Sequence, residues 1–266
     1  MTINVQPSFA VKIDDKLSLG GGFDVQYVDA ELENQAFAGV TEGTSTLEGD
    51  DISYGYNLGF IYEPTDATKI GVHYRSQVNH KLDGKVTVEG TGTANDGVTN
   101  GKANLNLPEI LSFSASHDLD DQWTIMAGAT WFGWANYERI TTVGDDGTLI
   151  SDQEQNYKNT WAFNVGADYK YSDEWTFRGG LQFDPTPTQD NFRTTRTPDG
   201  DRVWVSGGAT YQMNDKWSLD MAATYINVGE EDISLTQNEG TAVVSTVEAE
   251  NSGHVGIVAV GLNYKF

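Results

Sequence analysis

The sequence contains no cysteine, which removes disulfides, thiolate metal ligands and thiol nucleophiles together. No apolar run approaches the length of a membrane helix, so no helix crosses a bilayer. Positive charge is scarce: 16 Lys and Arg stand against 39 Asp and Glu, and such a chain lacks the basic face that nucleic acid requires. There are four histidines, His73, His80, His117 and His254, and none has a partner at metal-ligand spacing. No G-x-S-x-G elbow is present. Ser116 and His117 are adjacent, so on a strand they point to opposite faces and cannot act as nucleophile and base. The expectation is a protein that is not an enzyme, with no cofactor and no metal centre. A basic-then-apolar leader is also missing, because the chain opens M-T-I-N-V-Q-P-S-F-A, which already alternates. A misplaced start or a piece of a longer chain is expected.

What is present is a repeat. D-D-Q-W-T-I-M-A-G-A-T-W (Asp120–Trp131) recurs as S-D-E-W-T-F-R-G-G-L-Q-F (Ser172–Phe183) and as N-D-K-W-S-L-D-M-A-A-T-Y (Asn214–Tyr225). D-D-K-L-S-L-G-G-G-F-D-V (Asp14–Val25) is a further copy, and Thr65–Arg75 a looser one. Each begins with a polar turn and continues as an alternating strand. Tight turns that recur between long polar segments are the layout of a transmembrane β-barrel. The negative mean hydropathy is compatible with that, since only every second residue of a barrel strand faces lipid.

Eleven strands are predicted, near 3–13, 16–31, 52–62, 69–80, 105–119, 122–138, 160–171, 174–184, 202–213, 216–228 and 254–266. Trp161, Phe163, Val165, Ala167 and Tyr169 fall on one face of theirs, and Asn164, Asp168 and Lys170 on the other. Charges on the inner face suit a wet lumen better than a sandwich core. Aromatics bracket the strands: Trp123, Tyr171, Trp175, Tyr211, Trp217 and Phe266 beside the short turns, Trp131, Phe183 and Tyr225 near the long loops. Two such bands match the two membrane interfaces. The long segments, about 32–51, 81–104, 139–159, 185–201 and 229–253, read as extracellular loops. Their carboxylates, among them Glu31, Glu33, Glu48, Glu230, Asp232 and Glu250, are either solvated and mutually repelling or hold divalent cations that bridge lipopolysaccharide. An odd strand count leaves the two ends on opposite sides of the membrane, so an odd number of strands is expected to be missing from the front.

Beyond the pattern, specific wording resembles a known family. Gly49–Ser76 (G-D-D-I-S-Y-G-Y-N-L-G-F-I-Y-E-P-T-D-A-T-K-I-G-V-H-Y-R-S), Leu107–Trp123, W-F-G-W-A-N-Y (Trp131–Tyr137) and Phe177–Tyr211 resemble the FadL-type long-chain fatty acid transporters of the outer membrane. The resemblance covers nearly the whole chain. It implies an all-β, fourteen-stranded antiparallel transmembrane barrel of which this chain, one domain over residues 1–266, holds the last eleven strands. The hatch that fills the lumen and the first three strands would be absent. It also implies passive uptake of fatty acids or aromatic hydrocarbons, with capture at an extracellular groove and release through a lateral opening. Expected partners are that hydrophobic substrate, outer-membrane lipid and lipopolysaccharide, and the outer-membrane assembly machinery that reads the terminal V-A-V-G-L-N-Y-K-F; a monomer is expected.

Transport needs a hydrophobic path with a polar anchor. By alternation Phe132, Trp134 and Trp204 point inward, as substrate contacts or as packing against the hatch and loops. A carboxylate would need a cation. Inward Arg75 and His73, and loop residues Arg139, Arg193, Arg196 and Arg202, are the candidates, the alternative being struts to acids such as Asp199 and Asp201. Residues Ile140–Tyr157 contain no Lys or Arg, which keeps neutral hydrocarbons open as substrates. Asp168 and Arg178 are expected to pair across one hairpin, with Asp220 in reach. Other readings are a nonspecific porin or structural barrel, and a soluble β-sandwich binding module.

Overall fold

A computed structural model describes residues 1–38, 41–92, 96–195, 197–239 and 242–265; Phe266 lies outside them. Its strands are β1 (Thr2–Val5), β2 (Ser8–Lys12), β3 (Leu17–Ala38), β4 (Thr41–Thr65), β5 (Thr68–Arg75), β6 (Val78–Glu89), β7 (Gly97–Leu107), β8 (Ile110–Asp118), β9 (Trp123–Phe132), β10 (Arg139–Gly144), β11 (Leu149–Glu154), β12 (Thr160–Lys170), β13 (Trp175–Asp184), β14 (Arg202–Gln212), β15 (Trp217–Glu239) and β16 (Ala242–Tyr264). All sixteen belong to one antiparallel sheet, and among the described residues no helix is long and apolar enough to cross a membrane.

The wall has eleven positions. β1 and β2 both pair with β3 and are two halves of one strand. Pro7 separates them, because proline has no N–H to give the ladder. From β3 the wall runs through β4, β5, β8, β9, β12, β13, β14 and β15 to β16. The predicted strand 69–80 is broken after Arg75, where Tyr56 N–H donates to Ser76 Oγ at 3.0 Å and Ser76 N–H to Tyr56 O at 2.9 Å. The predicted strand 105–119 breaks at Pro108 for the same reason as at Pro7. The predicted strand 122–138 stops at Phe132.

The expected loops are the larger correction. Segments 32–51 and 229–253 are mostly the upper halves of two very long hairpins, β3–β4 and β15–β16. Segment 81–104 is the β6–β7 hairpin, and β10–β11 fills most of 139–159. β4 pairs with β5 along its lower part and with β6 along its upper part. Above the wall, β3, β4, β6, β7, β10 and β11 therefore continue as a second stretch of the same sheet.

Four of the five short turns share one device. Asp14, Asp120, Ser172 and Asn214 each accept two main-chain hydrogen bonds, from the residues two and three positions on. A polar side chain that stands in for the missing backbone partner closes the turn and satisfies groups that would otherwise be orphaned. That chemistry is why the repeated motif starts with Asp, Ser or Asn.

Register then fixes the faces. Ala127, Val165, Leu181, Val205 and Tyr225 stand opposite one another on five successive strands and form an exposed apolar rung. One residue along, Gly128, Asn164, Gln182, Trp204 and Ile226 make the inward rung. At the short-turn end, outward Trp123 stacks on Tyr169 and Trp175 on Tyr211, and Trp217 meets Tyr264 at a tilt, with ring centroids 4.6, 4.7 and 4.7 Å apart. This is an interfacial girdle. The chain has no cysteine, so single Cys substitutions carry unique spin labels. In a bilayer, a label at Leu181→Cys is expected to relax with oxygen and one at Gln182→Cys with a water-soluble nickel chelate; equal response of both sites to the chelate would refute the lipid-facing assignment.

Candidate functional site

The upper sheet and the loop 185–201 enclose a cavity of about 990 Å³ at the long-loop end. Its apolar wall comes from strands that alternate in and out. Leu82 on β6 faces Ala103 on β7, and both pack with Val28, Ala30, Leu47 and Leu105 in the one buried apolar cluster among the described residues. Tyr137, Ile140 and Leu235 extend that wall. Glu33, Glu48, Asp152 and Glu154 are its acidic groups, Gln155 is among its neutral polar ones, and no described lining residue is basic. The cations nearest these acids are already engaged: Arg139 forks onto Asp152 and Glu154 at 2.8 and 2.7 Å, and Lys85 holds Glu48 at 3.0 Å.

Trp134 departs from its predicted place. β9 ends at Phe132 and Trp134–Asn136 is a 3₁₀ turn, closed by Tyr137 N–H to Trp134 O at 2.8 Å and by Ala135 N–H to Asn159 Oδ1 at 2.8 Å. Strand alternation no longer applies there. Trp134 meets Tyr137 and Tyr157 edge to face, with centroids 6.2 and 5.8 Å away, so it backs the cavity wall through Tyr137. Burial, with the neighbouring Tyr157 adding to it, raises the Tyr137 hydroxyl to about 12 and keeps it neutral at physiological pH.

The other predicted residues lie lower or elsewhere. Arg75, Ile110, Phe132 and Thr160 share one inward rung, and His73, Ser112 and Thr130 the next. His73 borders a second cavity of about 420 Å³ with Asn57, Ser112 and Ser114. Arg75 Nη2 lies 3.1 Å from Asp24, whose fully buried carboxylate also accepts from Asn4 at 3.1 Å and Asn57 at 3.2 Å. Four wall strands are tied at that one anion. His80 does similar work, bridging Asp51 at 2.9 Å and Gln26 at 3.0 Å. Trp204 faces inward on β14, and its buried indole N–H finds no acceptor.

Arg193 is buried and fully engaged: Nε donates to Asp199 O at 3.0 Å, Nη1 to Asp190 at 2.9 Å and to Asp232 O at 3.2 Å, and Nη2 meets Glu231 at 3.0 Å. Of the two roles left open for it, pinning the 185–201 loop to β15 is the one its contacts fit. Arg202 likewise holds Asp184 and Asp199. Arg196 lies outside the described residues. Asp168 and Arg178 pair at 3.2 Å, Arg178 also donates to Thr210 at 2.5 Å, Thr210 donates to Asp220, and Asn263 donates to Asp220 at 2.6 Å. This chain of contacts crosses five strands on the inner face. Its ion pair is partly exposed and contributes about 0–1 kcal/mol.

Residues 1–266 match the family model described as outer membrane protein transport protein (OMPP1/FadL/TodX). The chain belongs to this family. It is similar to the long-chain fatty acid transport protein of Escherichia coli O6:H1, 29% identical over 301 residues that cover 100% of this chain and 66% of that protein. The crystal structure of a Pseudomonas aeruginosa FadL homologue superposes with a TM-score of 0.89 at 25% identity, covering 99% of this chain and 67% of the other. The Pseudomonas putida toluene transporter TodX shares the fold at 16% identity, with a TM-score of 0.67 over 100% of this chain and 69% of that one. This FadL-type chain is all-β and spans about two-thirds of the length of the relatives it matches. Its family is one of outer-membrane proteins.

The residues that line the larger cavity were missed in the sequence, although the signal was there. Leu82, Gly84, Val86 and Val88 alternate with polar residues through the segment 81–104, taken as loop. The Arg193 arrangement yields a test. Arg193→Met removes the partner of partly buried Glu231 and is expected to cost about 3 kcal/mol, read as a lower urea midpoint and faster proteolysis of 185–201. Arg193→Lys, which cannot reproduce the fork, should recover little of it.

Proposed function

We propose that this FadL-type chain takes part in passive uptake of long-chain fatty acids or other hydrophobic compounds, aromatic hydrocarbons among them, across the outer membrane. The observation that carries this is the 990 Å³ apolar-walled cavity, placed above the polar inner face of a barrel wall. Its size is that of a pocket for a medium-sized organic ligand. Each methylene it removes from water contributes about 0.8 kcal/mol. Capture therefore needs no ATP: a hydrophobic molecule leaves water for the cavity and then descends toward lower free energy. Below, inward Phe132 and His73, with Trp204 further round the wall, supply the next contacts. Arg75 is held at Asp24, which makes it a strut beside the route.

The reading includes a single domain over residues 1–266, a monomer, and no catalytic step. It includes delivery by the outer-membrane assembly machinery, supported by β16, where Val258, Val260, Leu262 and Tyr264 all face outward and are exposed. Acidic hairpin tips beyond the wall suit the zone of cation-bridged lipopolysaccharide. A nonspecific porin would not need an apolar chamber at its mouth.

Leu105→Glu, made in the complete protein, places a charge against Leu47 and Ala103. Uptake of labelled long-chain fatty acid and of toluene is expected to fall at least about tenfold, the equivalent of about 1.4 kcal/mol, with the protein still assembled in the outer membrane. Unchanged uptake of both would eliminate the cavity as the site of capture.

A further inference from the structure

One polar group in the larger cavity is unexplained by packing. Gln155 is only 4% exposed, lines the cavity, and its Oε1 has no hydrogen-bond partner. Buried acceptors are nearly always satisfied, and the exceptions mark a strained or a functional position. Its placement is enforced locally. Gln155 N–H and Asn156 N–H both donate to Glu138 O, at 2.8 and 2.9 Å. Asn156 takes φ of 43°, the one left-handed non-glycine residue described. Asn tolerates that region better than other side chains do. Gln155 sits at this reversal and lines the cavity beside the apolar wall.

The charges around it point the same way. Glu33, Glu48, Asp152 and Glu154 line the same cavity, and the cations that serve three of them, Lys85 and Arg139, are not part of its lining. An ionised carboxylate in the cavity would meet like charges and, among the described residues, no facing cation. A molecule that is neutral and carries one O–H would meet an apolar wall and a waiting acceptor.

We propose that the cavity selects uncharged amphiphiles bearing a hydroxyl donor, with Gln155 Oε1 accepting that hydrogen and the four carboxylates turning ionised acids away. A fatty acid would then be captured in its protonated form, and phenols or alcohols directly. The proposal rests on the cavity being the site of capture and adds a rule of selection to it.

The test compares 1-naphthol, naphthalene and 1-naphthoate at pH 7, binding to the full chain in zwitterionic nanodiscs, with empty nanodiscs as the blank. Naphthol is expected to bind about tenfold more tightly than naphthalene, and naphthoate more weakly than either. Gln155→Leu should bring naphthol down to the level of naphthalene. The Glu33→Gln, Glu48→Gln pair should raise naphthoate affinity, and it tests the charge rule even if the Gln155 variant does not assemble. Equal affinity for naphthol and naphthalene would mean that water serves Gln155, and overturns the proposal while leaving capture intact. Naphthoate binding as tightly as naphthol overturns it too. Binding of none of the three removes both the selection rule and the site of capture.

Discussion

The constraint on which the structure depends is that lipid offers no hydrogen bonds. Each backbone N–H or C=O left unpaired in the hydrocarbon costs several kcal/mol, so a chain without a spanning helix must cross as paired strands. Pairing then dictates the rest. Antiparallel register places Val165, Leu181 and Val205 on one face and Asn164, Gln182 and Trp204 on the other, with no further instruction. A slip of one residue would exchange the two sets, placing amides in lipid and aliphatic groups in the lumen. The buried Asp24 with its three donors, and the Asp168–Arg178–Thr210–Asp220 chain, then work as cross-ties on the inner face, where polar groups are cheap to keep.

The same sheet supplies both halves of the functional arrangement. β4 leaves β5 and takes β6 as its neighbour without ending, so the wall passes directly into the upper sheet that carries the cavity. The two breaks, at Ser76–Gln77 and at Pro108, fall side by side on neighbouring strands and allow the upper hairpin to bend away from the lower one. The cavity wall is therefore built from strands, which hold side chains more firmly than loops do. Arg193 anchors the remaining loop against it.

The wall was largely legible in the sequence because two signals repeat there: a turn-forming Asp, Ser or Asn, and period-two alternation behind it. The pairing of Asp168 with Arg178 followed from counting across one such turn. What was not legible had a physical reason in each case. The upper hairpins carry many acidic residues among their alternating ones, which mask the alternation, and stretches such as 32–51 look like solvent-loving loop. Trp134 was misplaced because alternation was extended one residue beyond Gly133, where the chain turns. Gln155 could not be found at all: its burial depends on one left-handed residue and on contacts from elements distant in sequence.

The four closely matched turns have an evolutionary consequence. Each is closed by its own Asp, Ser or Asn, using atoms within three residues, so no turn depends on its neighbours for closure. Hairpins closed in this way are interchangeable cassettes. A barrel of this kind can gain or lose a pair of strands by duplication or deletion of one coding unit, and the junctions will still fold.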